Sequence, residues 1–190
     1  MKLILASTSK YRKELLGRLG IPFEAVSPVC DEESYLAQGL APRELATTLA
    51  TAKALSLAAE FPDAAILGSD QVATIDGKIL GKPGTHARAM EQLQLMSGRT
   101  HQLITAVTIA ARGELFGFCD ITRLTMRPLK AGEISRYLEA DQPLDCAGSY
   151  KLECRGITLF SAIESRDHTA IVGLPLIEVT SILRSLGFTF

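Results

Sequence analysis

Residues 3–19 join a short buried strand to a helix with only three residues between them. The apolar run LILA at residues 3–6 is typical of a short buried strand. Residues 10–19 carry helical spacing of leucines, and Ser9 before them is a good N-cap. A chain in which strand and helix follow each other this closely favours an α/β fold.

The predicted first turn of this helix is cationic, which the helix dipole disfavours. Lys10, Arg12 and Lys13 lie where Asp or Glu would be stabilising, at a cost of about 0.3–1 kcal/mol each. A helix N-terminus presents free N–H groups that attract anions, and Ser7 adds a hydroxyl donor. Arg12 faces the leucine side of the helix and offers a fork for phosphate oxygens, whereas Lys10 and Lys13 are expected in solvent.

Helices and strands alternate early in the chain, and strands cluster later. Asp76-Gly77 is a strong two-residue turn signal and predicts a hairpin. Loops are expected over residues 30–35 and 141–156. The other predicted elements are a short segment at 23–26, helices at 42–60, 86–96, 131–140 and 175–186, and strands at 64–68, 101–111, 115–126, 157–164 and 169–172. This order predicts one α/β domain over residues 1–190, with a mixed sheet and helices packed on its faces.

Composition argues against several classes of protein. Twenty basic and 21 acidic residues give a net charge of −1, without the basic excess of a protein that coats nucleic acid. No apolar run approaches the roughly 18–20 residues that span a bilayer. The cysteines at 30, 119, 146 and 154 form no CxxC pair and fit a reducing cytoplasm. We therefore expect a cytoplasmic protein whose partner is neither nucleic acid nor a membrane.

Charged residues elsewhere in the chain suggest partners for the cationic helix start. Lys53 lies at the edge of the inward stripe of helix 42–60, and a buried ammonium there needs an anionic partner. Asp70 follows a buried strand, where α/β proteins often place ligand-binding groups. The predicted hairpin sets Gln71 opposite Lys82, with Asp70 beside them at its open end. Glu32 and Glu33 are candidate carboxylates in the acidic segment, and the residues alone do not choose between them.

Cations beside carboxylates indicate metal-assisted phosphate chemistry. The cations alone would bind phosphate, but carboxylates repel it unless a divalent cation such as Mg²⁺ bridges the two. The set predicts attack of water on a phosphoanhydride, with a carboxylate that orients or deprotonates the water.

Two other motifs do not fit the functions that they suggest at first. GKILGK (77–82) is one residue short of a P-loop, and Ser7 lacks the GxSxG setting of a serine hydrolase.

Seven ordered motifs closely resemble the Maf family of nucleotide pyrophosphatases. They are ASTSKYR (6–12), CDEE (30–33), TAKA (51–54), GSDQV (68–72), GKP (81–83), DCAGSYKLE (145–153) and VGLPL (172–176). The resemblance runs from Leu3 to about Leu186 and implies an α/β fold with a mixed sheet and a deep cleft, similar to the inosine-triphosphatase-like enzymes. It also implies hydrolysis of a nucleoside triphosphate to the monophosphate and pyrophosphate with Mg²⁺ or Mn²⁺. Members are often dimers, so a homodimer is a further expectation.

The resemblance assigns roles to residues that their charges had already selected. Asp70 matches the family's proposed proton acceptor and, with Glu32, is an expected metal ligand. The expected catalytic set is Asp70, Glu32, Lys53 and Lys82. The expected phosphate-binding set is Ser7, Arg12, Lys53 and Lys82. Ser149 to Lys151 would line the same cleft.

Three positions bear on the base of the substrate. Tyr11, Gln71 and Glu153 stand where members that prefer pyrimidine triphosphates have Arg, Thr and Gln, and they resemble the subfamily that hydrolyses 7-methyl-GTP. Methylation at N7 fixes a positive charge on guanine, on which a tyrosine ring can stack for roughly 0.5–2 kcal/mol. A carboxylate about 4 Å away contributes about 4 kcal/mol at an effective dielectric near 20. This free energy corresponds to nearly three factors of ten in affinity for 7-methylguanine over uncharged guanine, at about 1.4 kcal/mol for each factor of ten.

The expected reaction is therefore hydrolysis of 7-methyl-GTP to 7-methyl-GMP and pyrophosphate. The same reaction on dTTP and UTP is the nearest alternative. A regulatory role by binding is a different class, because the family resembles proteins described as septum-formation inhibitors. Cys154 stands where family members usually have Gly, and a positive φ there would alter the loop that carries Glu153.

Overall fold

The computed structural model describes residues 1–190 and contains a seven-stranded sheet with six α-helices. The strands are β1 (Leu3–Ala6), β2 (Glu24–Val26), β3 (Ala65–Ile75), β4 (Lys78–Leu80), β5 (Thr100–Ala111), β6 (Glu114–Met126) and β7 (Phe160–Glu164). The helices are α1 (Lys10–Gly17), α2 (Glu32–Leu36), α3 (Pro42–Leu55), α4 (His86–Met96), α5 (Ala131–Asp141) and α6 (Leu176–Ser185). Two 3₁₀ segments cover Arg155–Leu159 and Ala170–Val172.

The sheet is mixed, as predicted. Its strand order is β2-β1-β3-β5-β6-β7, with β4 paired to β3. β1 is parallel to β2 and β3, whereas β4 is antiparallel to β3 and β7 is antiparallel to β6. The predicted α/β fold with helices flanking a mixed sheet is confirmed. None of the six α-helices has both the length and the apolarity that a bilayer-spanning helix requires.

The chain groups into two compact units, each built from segments that are distant in sequence. The first unit comprises residues 1–71, 105–120 and 167–190, and the second comprises residues 72–104 and 121–166. Strands β3, β5 and β6 contribute residues to both. The expectation of one domain over residues 1–190 stays a prediction.

In the first unit, β1 is buried on both faces. Leu3 and Leu5 are fully buried in a core that includes leucines of α1 and α6. Ile4 and Ala6 are fully buried on the opposite side, in a core that includes Ala54 of α3. Because alternate side chains of a strand point to opposite faces, a strand covered twice must be apolar throughout, which explains the uninterrupted LILA run.

The second unit contains the hairpin that Asp76-Gly77 predicts. Ile75 pairs with Lys78, and Asp76 (φ 49°) and Gly77 (φ 78°) both adopt the left-handed conformation of a type I′ turn. The ladder between β3 and β4 ends at the pair Ala73–Leu80, because β4 ends at Leu80. The expected pair of Gln71 and Lys82 is therefore not part of the ladder. In the same unit His101, Tyr150 and Phe160 form a buried aromatic cluster with ring centroids 4.9–5.8 Å apart.

Two predictions in the first third of the chain are wrong in part. The predicted loop at 30–35 contains α2, because Asp31 caps it by accepting from Ser34 N (3.3 Å) and because the acidic residues that follow suit a first helical turn. The helix predicted over 42–60 ends at Leu55, and residues 56–60 form turns. Ser56 Oγ donates to Lys53 O at 2.8 Å, which satisfies a carbonyl at this helix end.

Two predicted strands near the C-terminus are also corrected. Residues 157–159 of the expected strand 157–164 belong to the 3₁₀ segment Arg155–Leu159, and the strand itself begins at Phe160. Residues 170–172 form a 3₁₀ segment where a strand was expected over 169–172. The carbonyls of Ala170 and Ile171 accept hydrogen bonds from the Gln71 amide, so they have side-chain partners where a strand would need a neighbouring backbone.

Candidate active site

A glycine on β3 lets α3 approach the sheet closely. A Cβ atom on Gly68 would lie 2.3 Å from Ala50 O and 2.6 Å from Ala54 N, so no other residue fits without moving the helix. This close approach brings the inner side of α3, including Lys53, to the end of the apolar stretch of β3 where Asp70 lies. The GSD sequence thus combines a packing residue with a carboxylate two positions later.

Lys53 contacts two carboxylates at once. Its Nζ lies 2.6 Å from Asp70 Oδ1 and 2.7 Å from Glu32 Oε1. The Lys53 and Asp70 side chains are only 7% and 12% exposed, whereas Glu32 is 47% exposed. A buried ammonium is stable only with such partners. Glu32, and not its neighbour Glu33, forms the ion pair with Lys53, a choice that the sequence had left open.

Arg12 adds a second cation to this cluster. Burial lowers the pKa of its guanidinium, and the nearby Asp70 and Glu32 carboxylates oppose that shift. Its Nε donates to Gly173 O at 3.0 Å, and the same carbonyl accepts from Ser69 Oγ at 3.0 Å. The Nε bond fixes the orientation of the guanidinium and leaves its terminal amino groups for an anion.

The start of α1 forms as the sequence predicts. Ser9 caps the helix by accepting from Arg12 N at 3.4 Å, and Ser7 Oγ accepts from Ser9 N at 3.2 Å. Ser7 is buried and lies directly after β1. No acidic residue occupies the first turn, so the dipole of α1 and the side chain of Arg12 both favour a bound anion there.

Tyr11 carries a cation on its ring in this structure. Lys10 Nζ lies 4.9 Å from the ring centroid, a distance typical of a cation–π contact. Gln71 has a different environment, because its amide nitrogen donates to Thr105 Oγ1, Ala170 O and Ile171 O at 2.9–3.1 Å. The amide oxygen is the part of Gln71 that remains for a base. The specificity roles of these two residues stay predictions.

Asp167 is a structural residue of the site that sequence reasoning missed. It is buried, and its Oδ1 accepts from Thr169 N (2.9 Å) and from Thr169 Oγ1 (2.6 Å). Its Oδ2 accepts from Ile177 N (2.8 Å) in the first turn of α6. These bonds hold the segment that presents Gly173 O to Arg12. One sequence signal could have indicated Asp167. An Asp two positions before a Thr, in a segment without alternating hydrophobicity, is typical of a turn in which the carboxylate accepts from the backbone two residues on.

The other predicted site residues belong to the second unit. Lys82 and Glu153 are both exposed. Ser149 is fully buried, and its Oγ donates to Gln92 Oε1 at 2.5 Å. Lys151 directs its Nζ to Asp141 O and Gln142 O, at 3.3 Å and 3.2 Å, and therefore satisfies carbonyls at the end of α5. The expectation that Ser149 to Lys151 line a substrate cleft stays a prediction.

The loop that carries Glu153 does not need a glycine at position 154. Cys154 has φ −112°, an ordinary value for any residue, so the positive φ that would have altered the loop does not occur. The glycine requirement lies two residues later. A Cβ on Gly156 would be 2.3 Å from Lys151 O, because Gly156 N and Cys154 N both donate to that carbonyl at 3.1 Å.

The first unit therefore brings together Arg12, Glu32, Lys53 and Asp70, with Ser7 at the start of α1. Two carboxylates contact one common nitrogen, and their hard oxygens are of the type that Mg²⁺ or Mn²⁺ prefers. Two cations beside them can bind phosphate oxygens. Such a cluster is suited to hydrolysis of a phosphoanhydride.

Comparison with known proteins identifies the family. Residues 2–186 match the family described as Maf-like protein. The chain belongs to the Maf-like family. The resemblance that the seven motifs indicated is thereby confirmed across nearly the whole chain.

Relatives within the Maf-like family are similar over almost their full length. A protein of Xanthomonas campestris pv. campestris is 52% identical over 189 residues, which cover 99% of this chain and 97% of the relative. One from Xanthomonas axonopodis pv. citri is 51% identical over 187 residues (98% and 97%). One from Bdellovibrio bacteriovorus is 50% identical over 184 residues (97% and 96%). All three are named 7-methyl-GTP pyrophosphatase, the subfamily that the residues at positions 11, 71 and 153 indicated.

Proposed function

We propose that this chain hydrolyses 7-methyl-GTP to 7-methyl-GMP and pyrophosphate. The observation that carries the proposal is the contact of Lys53 Nζ with both Glu32 Oε1 and Asp70 Oδ1, close to the charge of Arg12. Such a cluster can bind a polyphosphate and activate water at one place. The name shared by relatives about 50% identical to this chain supports the choice of substrate.

In this proposal the cations of the site bind and polarise the triphosphate. Arg12 contributes its terminal amino groups while Gly173 O holds its Nε, so the guanidinium is oriented before substrate binds. Ser7 adds a neutral hydroxyl donor, and the dipole of α1 favours an anion at this helix start. The role of Lys82 as a further phosphate ligand rests on the family resemblance.

Asp70 accepts the proton of the attacking water. Lys53 holds Asp70 through Oδ1, which leaves Oδ2 to accept a hydrogen bond from water. The ammonium of Lys53 also holds the carboxylate in one orientation. Transfer of the proton to Asp70 generates the nucleophile that attacks the phosphoanhydride, and pyrophosphate leaves with its charge neutralised by neighbouring cations.

Glu32 and Asp70 would hold a divalent cation together with phosphate oxygens of the substrate. When bound, Mg²⁺ or Mn²⁺ supplies charge neutralisation between the carboxylates and the triphosphate and acidifies a bound water. Glu32 suits this role because its side chain is 47% exposed and can therefore move when substrate and metal enter.

Selectivity for the methylated base rests on Tyr11 and Glu153. The Lys10 ammonium over the Tyr11 ring demonstrates that this ring accepts a cation, and the cationic face of 7-methylguanine is a comparable partner. Glu153 is exposed and so keeps its carboxylate available for a positively charged base. We further propose that the protein acts in the cytoplasm and forms a homodimer.

The experiment that tests the proposal compares 7-methyl-GTP, GTP, UTP and dTTP with Mg²⁺ or Mn²⁺, with and without EDTA, and identifies the products. The proposal expects a kcat/KM for 7-methyl-GTP at least about tenfold above the others, release of pyrophosphate, and loss of activity with EDTA. A preference for dTTP or UTP would contradict the specificity argument. Tight binding of a protein partner without turnover of any nucleotide would favour the regulatory alternative.

A further inference from the structure

Gln92 uses both ends of its side-chain amide to join two loops of the second unit. It lies on α4, where its Nε2 donates to Gly81 O at 3.0 Å and its Oε1 accepts from Ser149 Oγ at 2.5 Å. Neither Gly81 nor Ser149 belongs to α4, and they are separated by 68 positions in the sequence. A single side chain therefore bridges segments that the chain itself does not connect.

Both segments carry residues with proposed roles in substrate binding. Gly81 directly precedes Lys82, which is exposed, and Ser149 opens the run that ends at Glu153. A backbone bond joins the same two segments a few residues away, because Gly84 N donates to Leu144 O at 3.0 Å. Gln92 and this backbone bond together fix one loop relative to the other.

Ser149 adopts a backbone conformation that is unfavourable for it. Its φ is +64°, and it is neither in a hairpin turn nor at a helix end, which account for the other non-glycine residues with positive φ. Glycine would fit this conformation without strain. The serine hydroxyl compensates by donating to Gln92 while it is completely buried. The strained backbone and the short side-chain bond at one buried residue together point to a positioning role for Ser149.

The remainder of this loop is anchored tightly to its surroundings. Tyr150 OH contacts His101 Nε2 at 2.8 Å, and Lys151 N donates to Tyr137 OH at 2.9 Å. The Lys151 carbonyl then accepts the N–H groups that close the turn around Glu153. Successive residues from Ser149 to the Glu153 turn are thus each held by a hydrogen bond, and the bond of Ser149 to Gln92 is the first of this series.

From these contacts we propose that Gln92 is a positioning residue that couples the phosphate-side loop of Lys82 to the base-side loop of Glu153. This inference rests on the proposed function, from which the roles of Lys82 and Glu153 are taken. Gln92 itself touches no reacting atom. Its loss releases both loops together, so the enzyme loses rate and base selectivity in the same variant.

The kinetic test uses Gln92→Ala, Ser149→Ala and the double variant, with Gln94→Ala as a control on the exposed side of the same helix. We expect both single variants to lower the ratio of kcat/KM for 7-methyl-GTP over GTP about tenfold, and Gln92→Ala also to lower kcat. The double variant should be no worse than the poorer single one, because both remove the same bond. An unchanged ratio in Gln92→Ala, or effects that multiply in the double variant, would overturn the proposal.

A second readout needs no substrate and separates this proposal from the proposed function. Amide hydrogen exchange of Gln92→Ala should accelerate in both segments 81–84 and 144–154, with Gln94→Ala unchanged. Gln92→Glu still accepts from Ser149 but cannot donate to Gly81 O, so exchange should accelerate in 81–84 alone. If the wild type shows no preference for 7-methyl-GTP, the proposed function fails while exchange still tests the coupling. Faster amide exchange in only one of the two segments of Gln92→Ala would contradict the proposed coupling.

Discussion

Lys53 Nζ lies 2.6 Å from Asp70 Oδ1 and 2.7 Å from Glu32 Oε1, so one buried ammonium organises two carboxylates of the site. Three different elements, α2, α3 and β3, supply these groups. Attraction to the shared cation offsets the repulsion between the two carboxylates. It also places the proposed base, Asp70, on a rigid strand.

Replacing Lys53 by Met should abolish most activity and destabilise the fold. The variant leaves Asp70 buried without its cation, and breaking a buried ion pair costs about 3–5 kcal/mol. We expect kcat/KM for 7-methyl-GTP to fall at least about 100-fold, because binding and water activation are both impaired. Denaturant unfolding and steady-state kinetics measure the two effects. A Lys53→Met protein with wild-type stability and activity would contradict the shared role of this lysine.

Arg12→Lys should weaken substrate binding although it retains the charge. Lysine cannot donate to Gly173 O and present two further amino groups to phosphate at once. The loss of a charge-assisted hydrogen bond, about 1.5–3 kcal/mol, corresponds to a rise in KM of about tenfold or more. Lys13→Ala is the matched control, since Lys13 is exposed on the same helix and should leave KM unchanged. Equal effects of the two substitutions would indicate only a general electrostatic contribution.

The buried His101 should make the fold sensitive to acid. Burial lowers the pKa of His101 from 6.5 to about 4. Between these two values the unfolded chain binds a proton that the folded protein does not bind. The contribution of His101 to the free energy of unfolding is therefore fully present above pH 6.5. It decreases by about 3 kcal/mol as the pH falls toward 4.

Measurement of unfolding free energy against pH checks this sign. His101→Gln removes the titrating group and keeps an amide that can contact Tyr150 OH, the present partner of the imidazole. The variant should have a flatter stability curve than the wild type between pH 6.5 and 4, by up to one proton in slope. Parallel curves for the two proteins would show that His101 does not titrate in this range.

Gly156→Ala should alter base selectivity without affecting the first unit. The added Cβ would lie 2.3 Å from Lys151 O, so the turn that carries Glu153 must move. We expect the preference for 7-methyl-GTP over GTP to fall about tenfold while the activity on GTP changes less. Cys154→Ala is the control, because that residue is exposed with negative φ and should tolerate the change. A selectivity loss in Cys154→Ala equal to that in Gly156→Ala would argue against a steric cause.

Local signals were sufficient for much of the fold. The LILA run, the Ser9 cap and the Asp76-Gly77 turn each form as predicted, because each depends on residues within a few positions of one another. The 3₁₀ segment at 170–172 could not be predicted in this way. Its conformation depends on bonds from Gln71 and Thr105, which are 99 and 65 positions away from Ala170 in sequence, respectively.

The same distinction holds for the candidate site. A cationic helix start and a lysine on an inward stripe indicated Arg12 and Lys53, because each violates a local rule. Asp167 and Gln92 violate none, and their importance lies entirely in contacts that the fold creates. The residues alone did not choose between Glu32 and Glu33; the family resemblance favoured Glu32, and the structure pairs Glu32, the first residue of α2, with Lys53.

The most direct test of the account is pyrophosphate release from 7-methyl-GTP by the wild type and by Asp70→Asn, with Mg²⁺ present. Asparagine is nearly the same size as aspartate but cannot accept the proton from water. Folding and substrate binding of Asp70→Asn are measured as controls beside those of the wild type. We expect the wild type to release one pyrophosphate per 7-methyl-GMP, and the variant to have a kcat reduced at least about 1,000-fold. Release of orthophosphate by the wild type, or near-normal turnover by Asp70→Asn, would contradict it.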